Sequence, residues 1–204
     1  MWFPILITAL TCYLLGNLNG AVLMSNLFAH EDIRSKGSGN AGLTNFVRNY
    51  GKTGALLVIL IDAAKTVLAC LLGGLLLEPY GLQNEGKMLG ALFVSLGHDF
   101  PALLGFRGGK GSLSGLMVAL CVDWRCAVLI LGIFILCVVL TRYVSLGSTL
   151  GALGFSAFFG ILYTHQPVVM AIGIFLGLLV VFMHRSNIAR LFKGTERKFY
   201  FKKK

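Results

Sequence analysis

SKGSGNAGLTN, residues 35–45, spaces Gly37, Gly39 and Gly42 as a dinucleotide-binding turn does. On that reading the chain would be an α/β protein. The fingerprint requires a preceding strand, a following helix and an acidic residue about 20 positions on, all within a βαβ unit. Here a long apolar run, 3–28, precedes the glycines, and no βαβ alternation occurs anywhere in the chain. The nucleotide reading fails, and the apolar runs on either side decide the fold.

Of 204 residues, 56% are hydrophobic and only 13% charged, with a mean hydropathy of +0.81. Average usage is about 45–50% apolar and about 25% charged. The charges are clustered between long apolar runs, which predicts an all-α polytopic membrane protein with one integral-membrane domain over 1–204. A spanning helix needs about 20 mostly apolar residues. Candidates are 3–28, 54–77, 88–104, 112–122, 126–140, 144–163 and 167–183. The fourth and fifth are short, and the alternative is one span broken at Asp123-Trp124-Arg125. About seven transmembrane helices is the preferred count, with five or six as alternatives. The opening MWFPILITAL has no basic stretch, so it is expected to span rather than to be cleaved as a signal.

With seven spans, one face holds Arg34, Lys36, Arg48, Lys52, Arg107, Lys110, Arg142 and the C-terminal cations Arg185, Arg190, Lys193, Arg197, Lys198 and Lys202 to Lys204. The other face holds only Lys87 and Arg125. Positive residues stay cytoplasmic, which predicts the N-terminus out and the C-terminus cytoplasmic. The net charge of +10 thus belongs mainly to one face, where the terminal KFYFKKK is expected to meet anionic lipid. Cys12, Cys70, Cys121, Cys126 and Cys137 lie in or beside apolar spans without CxxC spacing, so no metal site is expected. Gly73, Gly74, Gly147, Gly151, Gly154 and Gly160 inside spans predict close helix packing.

Three polar segments then share the cytoplasmic face: GSGNAGLTNFVR (37–48), GHDFPALLGFRGGKG (97–111) and HRSNIARLFKGTERK (184–198). Each combines glycine, hydroxyl or amide groups and a cation, and none offers a close carboxylate cluster. These ingredients suit an anion. Glycine lets backbone approach a ligand, and successive N–H groups cradle phosphate oxygens. Arg48 can clamp two oxygens, Lys110 supplies a point charge, and Ser38, Asn40, Thr44 and Asn45 can orient by hydrogen bonds. GFRGGKGS is no P-loop, since Gly111 rather than Ser or Thr follows Lys110. The His-x4-Asp pattern of many glycerolipid acyltransferases is absent too, because Leu103 is the fifth residue after His98. A phosphate or organic-anion transporter would use similar groups but predicts inverted repeats and midplane charges. A non-catalytic assembly subunit would need no anion cradle.

Together the three segments resemble the acyl-phosphate:glycerol-3-phosphate acyltransferase family of PlsY type, found in bacterial inner membranes. The likeness rests on Gly37-Ser38-Gly39-Asn40-x-Gly42-x-Thr44-Asn45 with Arg48; on Gly97-His98, Phe100-Pro101, Phe106 and Gly108-Gly109-Lys110-Gly111; and on His184-Arg185-x-Asn187-Ile188-x-Arg190-Leu191-x-x-Gly194-x-Glu196-x-Lys198. Gly16-Asn17-Leu18-Asn19 replaces the usual Gly-Ser-Ile-Pro, Ser112-Leu113-Ser114 replaces Val-Ala-Thr, and Arg107 stands where Lys is common. These departures bear on helix geometry and chain preference more than on chemistry.

The resemblance implies transfer of an acyl group from acyl phosphate to the 1-hydroxyl of glycerol 3-phosphate, without cofactor or nucleic acid. The acyl-phosphate-forming enzyme becomes a candidate partner. It also implies that Gly108, Gly109, Lys110 and Gly111 bind the phosphate of glycerol 3-phosphate, with Ser38, Gly39, Asn40 and Arg48 near the reacting centre. His184 and Asn187, at i and i+3 on one helix face, would orient the nucleophile and polarise the carbonyl. The base is His184, whose ordinary pKa near 6.5 suits it, or a substrate phosphate. Ser145 and Ser148 fit the family pattern, while His98, Arg185 and Glu196 are expected to support, Glu196 by holding the tail through ion pairs. Asp62 and Lys65, i and i+3 inside span two, are a functional candidate as intramembrane charges, with a paired structural charge as the preferred reading. Asp99 is expected to neutralise a loop cation, and Ile188, Leu191 and Phe192 to form one side of an interfacial helix.

Overall fold

The computed structural model describes residues 1–199. The three terminal lysines expected to meet anionic lipid lie outside those residues. Ten α-helices follow one another: α1 (Trp2–Gly16), α2 (Gly20–Ala29), α3 (Leu43–Tyr50), α4 (Ala55–Leu77), α5 (Gln83–Asp99), α6 (Ser112–Val122), α7 (Trp124–Thr141), α8 (Val144–Leu162), α9 (Pro167–Met183) and α10 (Arg185–Phe192). No strand occurs among the described residues.

The first apolar run is one span by length but breaks between α1 and α2 at Asn17-Leu18-Asn19. A break inside a bilayer frees backbone groups that must be satisfied internally. Asn19 caps α2 by accepting from Val22 N at 3.0 Å, and its amide donates to Ala41 O at 3.0 Å. Lys65 of α4 donates to Gly16 O and Leu18 O, and Asp62 accepts from Gly20 N at 3.2 Å. The cation thus faces the carbonyl end of α1 and the anion the N–H end of α2, as helix dipoles favour. Asp62 and Lys65 also pair at 2.9 Å, both buried. Sequence placed a paired charge here; the broken helix is what it satisfies.

Two groups of helices form the bundle, α1, α4 and α5 on one side and α7, α8 and α9 on the other, joined by α6 and by contact of α5 with α9. The α4–α5 seam is closest where Gly73 meets Gly86 and Gly90 meets Ala69, because a Cβ at any of these glycines would run into backbone. Asp123, extended at φ −154°, separates α6 from α7 and caps α7 by accepting from Arg125 N at 3.0 Å. Ser112–Val122 and Trp124–Thr141 are therefore two helices, not one long span.

Among the described residues four segments are long and apolar enough to cross a membrane: Trp2–Ala29, Ala55–Tyr80, Trp124–Thr141 and Val144–Leu162. Pro167–Met183 is so only together with Arg185–Phe192, to which it is bent by 54°, and counts as a fifth if the pair is one span. At 1.5 Å per residue, the eleven residues of α6 reach about 17 Å, roughly half the hydrocarbon core. The seventeen-residue α5 opens on Gln83, Asn84 and Glu85.

Candidate active site

The three polar segments meet at one end of the bundle. In the loop before α3, Gly37 and Gly39 adopt φ of 59° and 71°, the left-handed region that side chains avoid. Asn45, inside α3, knots this loop. Its amide donates to Ile33 O, Lys36 O and Asn40 O at 3.0–3.3 Å, and its Oδ1 accepts from Ser38 N at 3.0 Å. Arg34, paired with Asp32 at 2.7 Å, reaches across to Leu104 O and Arg107 O. Asn40 Nδ2 donates to Gly108 O at 3.3 Å, completing the join to the second segment.

In that second segment Gly108 N donates to Asp99 O at 3.2 Å and Gly109 N to His98 O at 3.0 Å. The loop folds back so tightly that a Cβ at Gly108 would meet His98 O, and one at Gly109 the His98 ring. Gly111, at φ 70°, turns the chain into α6. Between them Lys110 donates to Asn187 Oδ1 of α10. Burial, then the neighbouring cation Arg190, pulls the Lys110 pKa down to about 8, with Arg48 and Arg185 adding to it.

In the third segment Glu196 turns back under α10. It accepts from Ser145 Oγ at 2.9 Å, Asn187 Nδ2 at 2.8 Å and Arg190 Nε at 2.7 Å. Burial works to raise its pKa, but these bonds outweigh it and hold the carboxylate ionised. At the end of α9, His184 Nδ1 lies 2.8 Å from Val180 O, so Nδ1 carries the proton and Nε2 a lone pair. Burial lowers its pKa to about 4, keeping the ring neutral near pH 7. Arg48 donates to Arg197 O at 3.0 Å, and burial lowers its pKa too.

These groups surround one cavity of about 510 Å³. Ser38, Asn40, Thr44, Asn45 and Arg48 line it from the first segment, Lys110 and Gly111 from the second. His184, Asn187 and Glu196 line it from the third, Ser145 and Ser148 from α8. Below them the wall turns apolar, with Val118, Ile130, Phe134, Phe155 and Leu176 from α6 to α9. From Ser145 to Phe155 is ten residues of helix, about 15 Å of depth. A smaller adjoining hollow holds Gly39, Arg185 and Arg190.

Some expected groups are placed or engaged differently. Gly108 and Gly109 line neither hollow, and their N–H groups already bond to protein carbonyls, so they shape the loop rather than present a free cradle. Asn45 spends its amide on its own loop. Asp99 bonds to no loop cation: it is 1% exposed and neither oxygen has a hydrogen-bond partner among the described residues. Its charge gave the sequence expectation, but Lys110 of that loop donates to Asn187 instead. Ile188 and Leu191 are half-buried and Phe192 is 90% exposed, while Asn187 fills the inward face of α10. Sequence reasoning did not place Asp62, Ser95 and Asp99 in the cavity wall, nor the apolar shaft. The glycines at 147 and 151 were a signal for the shaft. They sit against Phe134 and Ile130, and both line the cavity.

The sequence model of the family described as "Glycerol-3-phosphate acyltransferase" matches residues 6–194. Curated relatives of that name include one from Clostridioides difficile (strain 630), 40% identical over 197 residues, covering 96% of each chain. Another, from Thermoanaerobacter sp. (strain X514), is 38% identical and covers 94% of each. Among solved structures, PlsY (YgiH), an integral membrane glycerol 3-phosphate acyltransferase, superposes in its glycerol 3-phosphate form with a TM-score of 0.86 and 30% identity, covering 96% of each chain. Its lysophosphatidic acid form gives 0.83, at 29% identity, covering 96% of this chain and 95% of that one.

Proposed function

The chain belongs to the glycerol-3-phosphate acyltransferase family, and on that footing we propose that it moves the acyl group of acyl phosphate to the 1-hydroxyl of glycerol 3-phosphate. Lysophosphatidate and inorganic phosphate are the products, and the step begins bacterial phospholipid synthesis. One observation carries the reading: a cavity with Ser38, Arg48, Lys110, His184 and Asn187 at its mouth and an apolar shaft beneath. Such a shape suits two phosphates above and an acyl chain below. Acyl phosphate is a mixed anhydride, so its departing phosphate needs charge neutralisation more than a strong acid, and placement of the partners dominates.

In this reading Arg48 and Lys110 neutralise the phosphates and the Ser38 hydroxyl orients one of them. The second N–H of Asn187, left free when the first is bonded to Glu196, polarises the acyl carbonyl. His184 Nε2 accepts the hydrogen bond of the 1-hydroxyl. With its pKa near 4 the imidazole is a poor proton sink at neutral pH, which favours a substrate phosphate as the final proton acceptor. The hydroxyl oxygen attacks the carbonyl carbon, the carbon–oxygen bond to phosphate breaks with its electron pair, and the proton leaves on phosphate. No step calls for a metal or cofactor. Thr44 and Ser148 add orienting hydroxyls, and Glu196 ties Ser145, Asn187 and Arg190 together.

For the membrane we propose a single domain with seven membrane-embedded segments, α6 being the short one, in the bacterial inner membrane. The N-terminus is outside, the C-terminus and catalytic mouth cytoplasmic; the basic residues of the three polar segments support this. The acyl-phosphate-forming enzyme is the natural supplier of the donor. A reconstitution in sealed vesicles tests this against anion transport. Acyl phosphate and glycerol 3-phosphate should give lysophosphatidate, whereas phosphate flux without ester would remove the enzyme reading.

A further inference from the structure

The buried pair in α4 does more than close the break between α1 and α2. Lys65 Nζ also lies 2.8 Å from His98 Nδ1, and all three groups are buried. An ammonium donates and cannot accept. The Asp62 carboxylate at 2.9 Å and the carbonyls of Gly16 and Leu18 also share its three protons, so an N–H on Nδ1 would point at a donor with nothing there to accept it. His98 Nδ1 must therefore be the bare nitrogen, and the neutral ring carries its hydrogen on Nε2. Reversing the ring would set a carbon against the ammonium. Asp62 Oδ1, at 3.8 Å from Nδ1, is too far to take a proton from it.

The protonated edge faces the loop that carries Lys110. His98 lines the cavity, and Nε2 stands where a Cβ of Gly109 would be. Among the described residues Nε2 has no hydrogen-bond partner. Asp99 is the other titratable group at this end of α5, and its carboxylate is likewise unpartnered. At 109 only glycine fits, since any side chain would run into the imidazole edge.

We propose that His98 donates its Nε2–H to a phosphate oxygen of the substrate held beside Lys110, and that Lys65 is the positioning residue that fixes the donating tautomer. This rests on the reaction proposed above and adds a substrate contact to a residue expected only to support. The intramembrane pair thereby serves the site: Asp62 keeps Lys65 in place, Lys65 turns His98, and His98 meets the phosphate.

The test uses the full chain in lipid nanodiscs with nitrogen-15 in the imidazole rings. His98→Gln identifies the His98 signals among the four histidines. Without substrate, Nε2 should be protonated and Nδ1 bare, and Lys65→Met should mix the two tautomers, which loss of a merely structural contact would not do. Adding glycerol 3-phosphate should move the Nε2–H signal. In turnover, His98→Ala should raise KM for glycerol 3-phosphate by about ten- to a hundredfold, the scale of a lost hydrogen bond to a charged group, with a smaller change in kcat. His98→Gln, which keeps an N–H donor, should recover most of that loss. An Nδ1-protonated ring overturns the tautomer assignment. An Nε2 signal unmoved by glycerol 3-phosphate in a protein that turns over, or equal defects in the Ala and Gln variants, overturns the phosphate contact. A wild-type protein with the expected tautomer that forms no ester would instead remove the reaction on which the contact rests.

Discussion

Among single residues, the proposed reaction leans most on Lys110 and His184, and burial lowers the pKa of both. Lys110 loses its proton near pH 8 in the free enzyme. Its attraction for phosphate is therefore complete well below that value and lost as pH rises through it. We expect kcat/KM for glycerol 3-phosphate to fall along an alkaline limb centred near pH 8. Lys110→Arg, whose guanidinium stays charged, should move that limb upward even if its reach lowers the rate. A limb unchanged by the substitution would assign it to another group. His184 was legible as a candidate from its type and its i, i+3 relation to Asn187. Its tautomer was not, because the Val180 carbonyl that fixes it is one helical turn away and only helix geometry reveals the contact. Asn45 shows the reverse: an amide beside a glycine loop reads as a ligand contact, yet the loop's own carbonyls absorb it.

At the scale of elements, small residues set how near helices come and how much room they leave. Where Gly90 meets Ala69, backbone touches backbone. Gly90→Val should lower the thermal unfolding midpoint in detergent, at a cost of about 1–3 kcal/mol for overpacking. Gly132→Ala, in open space on the exposed face of α7, should be neutral or slightly stabilising and serves as the control. Equal midpoints for the two variants would mean that the seam can open freely. Sequence marked Gly73 and Gly74 of α4 as packing sites, and both sit against α5; the α5 glycines that meet that helix were not marked. Gly147 and Gly151 combine packing with a second consequence, since they also border the shaft. Composition cannot separate the two, because both ask only for a missing side chain. The α1–α2 break was hidden for a related reason. Asn17-Leu18-Asn19 interrupts an apolar run of otherwise spanning length, and only the positions of Asp62 and Lys65 show it to be a satisfied break.

The molecule as a whole places a polar mouth over an apolar shaft, and its ordering along the bundle was largely readable. The all-helical class, the long apolar segments and the gathering of three polar segments follow from hydropathy and charge. The shaft does not, since Val118, Ile130, Phe155 and Leu176 come from four helices and look like any core. Phe155, 3% exposed and packed on Phe159 at 4.8 Å between ring centroids, stands about 15 Å below Ser145. Phe155→Ala should deepen the shaft and raise the preference for longer over shorter acyl chains by about tenfold or more, the scale of one methylene in a fitted pocket. Competition between chain lengths in one assay reads this directly, and an unchanged ratio would place the chain elsewhere.

Product stoichiometry decides whether acyl phosphate is the donor, as proposed for this cavity. Purified protein given glycerol 3-phosphate with either acyl phosphate or an acyl thioester should release one inorganic phosphate per lysophosphatidate from the first and form no ester from the second. Ester formed from the thioester at a comparable rate, or phosphate released without ester, would contradict the account.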